Sequence, residues 1–472
     1  MAGRNSSLSL MFNRVKNIRF HRKLRRFQKY IRQHSTLILS ILTILILIII
    51  FREEITYQLY IRTLDVQPYQ NALTLWSSDY HIRHMNNFYS FVRIEYFNDT
   101  LFSNFSPIQD LKTILVPFGV QFFDKSLSYS CQRTRTCLSH IRVLTNTNGM
   151  NFSDQLASEF YEFYKNQTEM NLVDAFVCFH PVSMCELYMQ FNRSMIVISS
   201  TRYELARFQP DQWMKLNENL KKIAQDPKNF VAANNLYDAE YIRYFTGMKV
   251  PVLPSLCNYT NADYNPKRSQ FLLAPIHSLY FDDVFKKLLK TSFKRYQNHT
   301  IKIVPIRNLY PNYKYSDLTN HPAIIHVPYQ VSIMSVFEQY RMNIPLVFPS
   351  LNLLTKWHYE YGVVAEKTWE QAFNERRSKS SRIKGVLTDV PDPNNDYDRS
   401  AIRYWLNFSD FYQWPHITYY ESADDLISKL ISTDFRMISK QMNEYNRQVG
   451  ESVVKKWKEI LNNIKQYSKK FQ

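Results

Sequence analysis

Beyond residue 66 short apolar runs alternate with amphipathic stretches almost to the end of the chain. LTLWSSDYH (73–81) reads as a strand that closes in polar residues. SPIQDLKTIL (106–115) reads as a helix with Ser106 as its cap and Pro107 in the first turn. GVQFF follows as a strand, and DAFVCFHP, SMCELYMQF and MIVISSTRYELARF repeat the order strand, helix, strand. PDQWMKLNENLKKIAQ (210–225) sets Trp213, Leu216, Leu220 and Ile223 on one helical face. NFVAANNLYDAEYIRYFTG adds a strand and a helix ended by Gly247. A second series opens at SQFLLAPIHS (269–278). It continues with helix FDDVFKKLLKTSFKRY, strands IKIVPIR and AIIHV, a helix starting near Ser332, and strand IPLVF. DVPDPNNDYDRS (389–400) predicts a surface loop, and the stretch from residue 422 predicts a helical tail. Alternating β and α elements imply parallel sheets with helices on both faces. The expected architecture is α/β, with Rossmann-like domains over 66–262 and 263–450 and a closing helix over 451–472.

Charge changes the picture at the N-terminus. The net charge is +18, and ten Lys or Arg lie within residues 4–32, whereas residues 1–52 hold no Asp or Glu. STLILSILTILILIIIF (35–51) is uncharged and apolar and is followed at once by Arg52, Glu53 and Glu54. A run of this length is just able to span a bilayer as a helix, and the basic side stays cytoplasmic. The tail is long for a signal-peptide n-region, and FREEITYQ offers no small-x-small cleavage site. The expectation is a basic tail (1–34), an uncleaved signal anchor (35–51), a stem (52–65) and a lumenal remainder in type II topology. The short span suits the thinner ER or Golgi membranes.

The rest of the composition narrows the chemistry. Eight N-x-S/T sequons lie past the span, at Asn98, Asn104, Asn151, Asn166, Asn192, Asn258, Asn298 and Asn407. All five cysteines lie there too, and in an oxidising lumen Cys131–Cys137 and Cys178–Cys185 are the expected local pairs, with Cys257 left over. No CxxC occurs, which argues against structural zinc. A lumenal chain has no nucleic-acid partner to meet. Seven glycines are too sparse for a dinucleotide fingerprint or a P-loop.

In parallel sheets, ligands bind outside the carboxyl ends of the strands. The polar residues that close the strands are Asp79, His81, His180 and Arg202 in the first series, and His277, Arg307, Tyr329 and Ser332 in the second. A helix starting near Ser332 presents unpaired N–H groups to an anion, and Ser332 and Ser335 add hydroxyls. Glu338 lies further along the same helix, although Ser335-x-x-Glu338 is also a capping-box pattern.

SVFEQYRMNIPLV (335–347), with its glutamate-bearing helix, turn and IP-containing strand, resembles the nucleotide-sugar domain of retaining GT-B glycosyltransferases. Glu338 stands where that family holds the ribose hydroxyls of its nucleotide. Gln330 stands where a second acid is usual, and Asn343 where a glycine is usual. The helical tail resembles the end of GT-B chains, which often crosses back onto the first domain.

The resemblance implies a glycosyltransferase that moves sugar from a nucleotide-sugar donor to a glycan, glycoprotein or glycolipid acceptor. His277, Arg307, Tyr329, Ser332, Ser335 and Glu338 would hold the donor. His180, Asp79 or His81 would act as the base on the acceptor side. No metal or other cofactor is required. Asp396 and Asp398 spell a DxD like that of the GT-A fold, in a short acidic loop that is not assigned to a metal. Inversion and retention both stay open, since a histidine base favours the first and the Glu338 pattern the second. A Golgi sulfotransferase and a non-catalytic GT-B-like binding protein are the alternatives.

Overall fold

The computed structural model describes residues 72–78, 107–124, 141–144, 148, 152–296, 301–367, 369 and 377–468. The basic tail, the apolar run 35–51, the stem, Asp79 and His81 lie outside these residues. So do Asn98, Asn104, Asn151, Asn298, Cys131 and Cys137. Among the described residues no helix is long and apolar enough to cross a membrane.

Two five-stranded parallel sheets carry the fold. The first comprises β1 (Thr74–Ser78), β2 (Gln121–Asp124), β3 (Ala175–Cys178), β4 (Ser194–Ser199) and β5 (Phe230–Ala233), in the order β2-β1-β3-β4-β5. The second comprises β6 (Phe271–Leu273), β7 (Ile303–Pro305), β8 (Ile324–Ile325), β9 (Leu346–Pro349) and β10 (Thr418–Tyr420), in the order β10-β9-β8-β6-β7. Read from its own first strand, each sheet therefore has the same order, with a switch point between its first and third strands. Every residue of β3 and β4 is buried, as expected for parallel strands covered on both faces.

The first sheet is flanked by α1 (Pro107–Leu115), α2 (Asp154–Tyr164), α3 (Thr168–Leu172), α4 (Cys185–Tyr188), α5 (Pro210–Gln225) and α6 (Leu236–Thr246). The second has α7 (Leu279–Tyr296), α8 (Ile306–Leu309), α9 (Tyr315–Leu318), α10 (Met334–Arg341), α11 (Leu351–Tyr361), α12 (Arg399–Leu406), α13 (Asp410–Gln413), α14 (Ala423–Ser432) and α15 (Phe435–Tyr467). The periodicity of α5 is realised, with Trp213, Leu216, Leu220 and Ile223 all buried. Burying such side chains contributes about 1.5–3 kcal/mol each. Gly247 ends α6 in the left-handed conformation, φ 76°, as the C-terminal cap position favours.

Four expectations need correction. SMCELYMQF is not one helix: a single α turn sits between the 3-10 turns Val182–Met184 and Met189–Phe191. The closing helix does not begin at 451, because α15 runs unbroken over 33 residues from Phe435. Its first half packs through Phe435 and Met442 into the core under the second sheet. Val453, Trp457, Ile460 and Leu461 then join Leu73, Leu111 and Ile114 under the first. Nor does 389–400 stay at the surface throughout: Asp389 and Tyr397 are exposed, but its middle turns inward. Asn394 is buried with its amide donating to Tyr241 Oη (2.9 Å), and Asp396 is fully buried against Lys367 Nζ (2.9 Å). The stretch is polar because it supplies an acid to a buried lysine, a pairing that local composition does not reveal. Finally, α10 starts at Met334 and not near Ser332.

The two sheets meet through aromatic packing. Trp405 on α12 lies 5.6, 6.2 and 5.7 Å from Tyr237, Tyr241 and Tyr244 on α6. A Cβ on Gly385 would overlap the Tyr244 ring at 2.3 Å, so only glycine permits that approach.

Candidate functional site

A groove opens at the carboxyl ends of β6, β7 and β8, at the switch point of the second sheet. Its lining includes His277, Arg307, Tyr329, Ser335 and Glu338, brought together from four chain segments. His277 follows β6 and stacks on Tyr329, which follows β8, with ring centroids 3.7 Å apart. Arg307 follows β7, on the single turn α8 that replaces the expected end of strand IKIVPIR.

The rim is closed by α10. Its cap residue Ile333 makes no side-chain cap bond, so the Ser335–Glu338 capping box does not form. The N–H groups of Met334 and Ser335 open the helix without a partner among the described residues, and both residues line the groove. Ser332 is turned away. It is buried, and its Oγ accepts from Asn235 Nδ2 (3.2 Å). Met334 lines the groove beside His326 and Gln339. His326 is held neutral by burial, its pKa pushed down to about 4, so its Nε2–H donates to Gln339 Oε1 (2.8 Å).

Glu338 is the focus of the groove. It is 7 % exposed, and its Oε1 accepts hydrogen bonds from Tyr259 Oη and Tyr315 Oη, each at 2.8 Å. Burial pushes its pKa up to about 7, opposed by those two bonds, with Asp110 adding a smaller upward push. Asp110, on α1, accepts from the backbone N–H groups of Leu256 (3.0 Å) and Cys257 (2.6 Å). It thereby pins the crossover segment that delivers Tyr259. Neither tyrosine carries a sequence pattern that would have marked it. The only hint is the tyrosine-rich run NLYPNYKYSDL (308–318) after β7.

A second polar cluster lies at the seam between the sheets. Arg202, after β4, is fully buried at φ 28°, and its backbone N–H donates to Asp238 Oδ1 (2.5 Å). Its Nη2 donates to the Glu366 carbonyl (2.6 Å), its guanidinium lies 4.9 Å from the Trp369 ring centre, and its Nε and Nη1 have no hydrogen-bond partner among the described residues. Gln330, where the resemblance expects an acid, donates through Nε2 to the Glu366 carboxylate, so an acid reaches that point from elsewhere in the chain. Burial raises Glu366 to about 7 and Glu204, held by Tyr241 Oη (2.9 Å), to about 8.

His180 is not among the groove residues. It closes β3 in the first sheet, and its Nδ1 lies 2.7 Å from Thr201 Oγ1. Cys178 and Cys185 are joined across that turn, with Cα atoms 5.8 Å apart, and Cys257 is buried and in no disulfide among the described residues. Asn166, Asn192, Asn258 and Asn407 are exposed.

No family model matches the chain, and no curated protein matches it. Nine chains of solved structures do. One, described as "Spinosyn Rhamnosyltransferase SpnG", is 9% identical and covers 82% of this chain and 100% of its own length, with a TM-score of 0.34. Identity and superposition at that level leave the reading to rest on this chain's own sheets and groove.

Proposed function

We propose that this chain is a GT-B-type glycosyltransferase that binds a nucleotide-sugar donor in the groove of the second sheet. The observation that carries the reading is the convergence of His277, Arg307, Tyr329, Ser335 and Glu338 at one switch point. Arg307 and the open N–H groups of α10 suit a diphosphate. Glu338, three residues or about 4.5 Å along the helix from Ser335, suits the ribose. Catalysis then consists of positioning the donor and stabilising the leaving diphosphate, with no obligatory metal. The acceptor, a glycan or glycoconjugate, would enter from the side of the first sheet, where His180 is the described candidate base.

The same reading makes the chain a type II protein of the ER or Golgi membrane anchored by 35–51. Exposed sequon asparagines and the joined Cys178–Cys185 pair support an oxidising, glycosylating compartment.

The test is a thermal-shift screen of the full-length protein in detergent across uridine-, guanosine- and cytidine-based sugar nucleotides. At least one donor class raises Tm, and Glu338→Ala abolishes that rise. If no sugar nucleotide stabilises the wild-type protein or is hydrolysed by it, the transferase reading is wrong.

A further inference from the structure

We infer that Tyr259 and Tyr315 are positioning residues: by occupying one oxygen of Glu338 they reserve the other for a vicinal diol, making the site selective for a ribonucleotide. This rests on the donor-site reading above and extends it to two residues outside the groove's lining.

The geometry carries the inference in three steps. An ionised carboxylate offers about four acceptor positions, two on each oxygen. Both tyrosine hydroxyls land on Oε1, filling it, while Oε2 accepts no hydrogen bond among the described residues. Glu338 also has no Lys or Arg within ion-pair distance among those residues. A carboxylate buried merely for structure is costly unless paired on both oxygens. This one is half satisfied, and it lines the groove. Two remaining acceptor positions on one oxygen match the two adjacent hydroxyls of a ribose.

The donors come from separate regions. Tyr315 starts α9 in the second sheet's half of the molecule, and Tyr259 follows the crossover pinned by Asp110 on α1. Their rings contact edge to face at 6.3 Å. The two hydroxyls grip the same oxygen of Glu338 from separate segments, which fixes the orientation of the carboxylate. Glu338 is therefore preorganised before the ligand arrives.

The experiment measures affinity of uridine and guanosine diphosphates, and of their 2′-deoxy forms, by calorimetry on the full-length protein. Wild type, Tyr315→Phe, Tyr259→Phe and the double variant are compared. Phenylalanine keeps each ring and deletes only the hydroxyl. Wild type is expected to prefer the ribo form at least tenfold, a preference that falls below about threefold in the double variant. A single variant falls between, which keeps the test usable if the double variant does not fold. The pH midpoint of binding also moves up, because two bonds that favour ionised Glu338 are lost. A ribo preference that is unchanged in the variants, with only their thermal stability lowered, makes the tyrosines structural and overturns the inference. Nucleotide binding by wild type without ribo preference overturns it too and leaves the donor site standing. If wild type binds neither diphosphate, donor site and inference fall together.

Discussion

The carboxyl ends of the two sheets have the same strand order and opposite treatment of their polar groups. At the first, Arg202, Glu204, Tyr237 and Asp238 are buried, with the Glu366 carbonyl bonded to Arg202 and Asn394 bonded to Tyr241, the partner of Glu204. At the second, Arg307, Ser335 and Glu338 line an open groove. Both sheets end in polar residues, and the segments packed against the ends of β4 and β5, or left off those of β6 to β8, decide which of these groups can meet a ligand. The first end spends its polar groups on joining the sheets, and the second keeps acceptors and donors unfilled.

The largest expected effect breaks the seal at the first end. Trp405→Ala removes the ring that meets three tyrosines of α6 and should cost about 3–5 kcal/mol. Denaturant unfolding checks this. A single shifted transition means the sheets fold as one unit, and two transitions mean the seam alone coupled them.

The next concerns Glu338 and pH. Its carboxyl loses a proton near 4.5 when unfolded and near 7 when folded, so between those values the folded state holds more protons. Stability contributed by this group therefore falls as pH rises from 4.5 to about 7, and is flat above. At about 1.4 kcal/mol per tenfold in proton affinity, the difference reaches about 3 kcal/mol. Glu338→Gln should gain on wild type by that order across the window, read from unfolding free energies at pH 4.5 and 8. A constant difference between those two pH values would mean that Glu338 does not titrate as a buried acid.

The smallest effect separates binding from folding at the second end. Arg307 is only half-buried and lines the groove. Arg307→Gln should weaken nucleoside diphosphate binding about tenfold, near the lower end of a charged hydrogen bond's 1.5–3 kcal/mol, and leave Tm unchanged. Nucleoside binding should be unaffected. An equal loss for nucleoside and diphosphate would place Arg307 away from the phosphates.

How much of this was legible beforehand varies with the range of the interaction. Helix α5 begins at Pro210 and buries the face its spacing predicts, because 3–4 periodicity is a local property. Strand-end polar residues were also legible, and five of the six donor-site candidates share the groove. Ser332 does not, because α10 starts two residues later than its pattern suggested and turns that hydroxyl towards Asn235. Asp396 was misread as exposed because its partner Lys367 lies in a distant segment.

By itself the amino-acid sequence determined the alternation of strands and helices, the proline start of α5 and the glycine end of α6, and the set of polar residues that could meet at strand ends. Those follow from spacing and from the conformations that proline and glycine favour. Only the tertiary structure decided which polar groups would be used up and which left open. Tyr259 and Tyr315 reach Glu338 across sequence separations of 79 and 23 residues. A carboxylate's protonation and free oxygen depend on burial and on who donates to it, and neither is written in its neighbours along the chain.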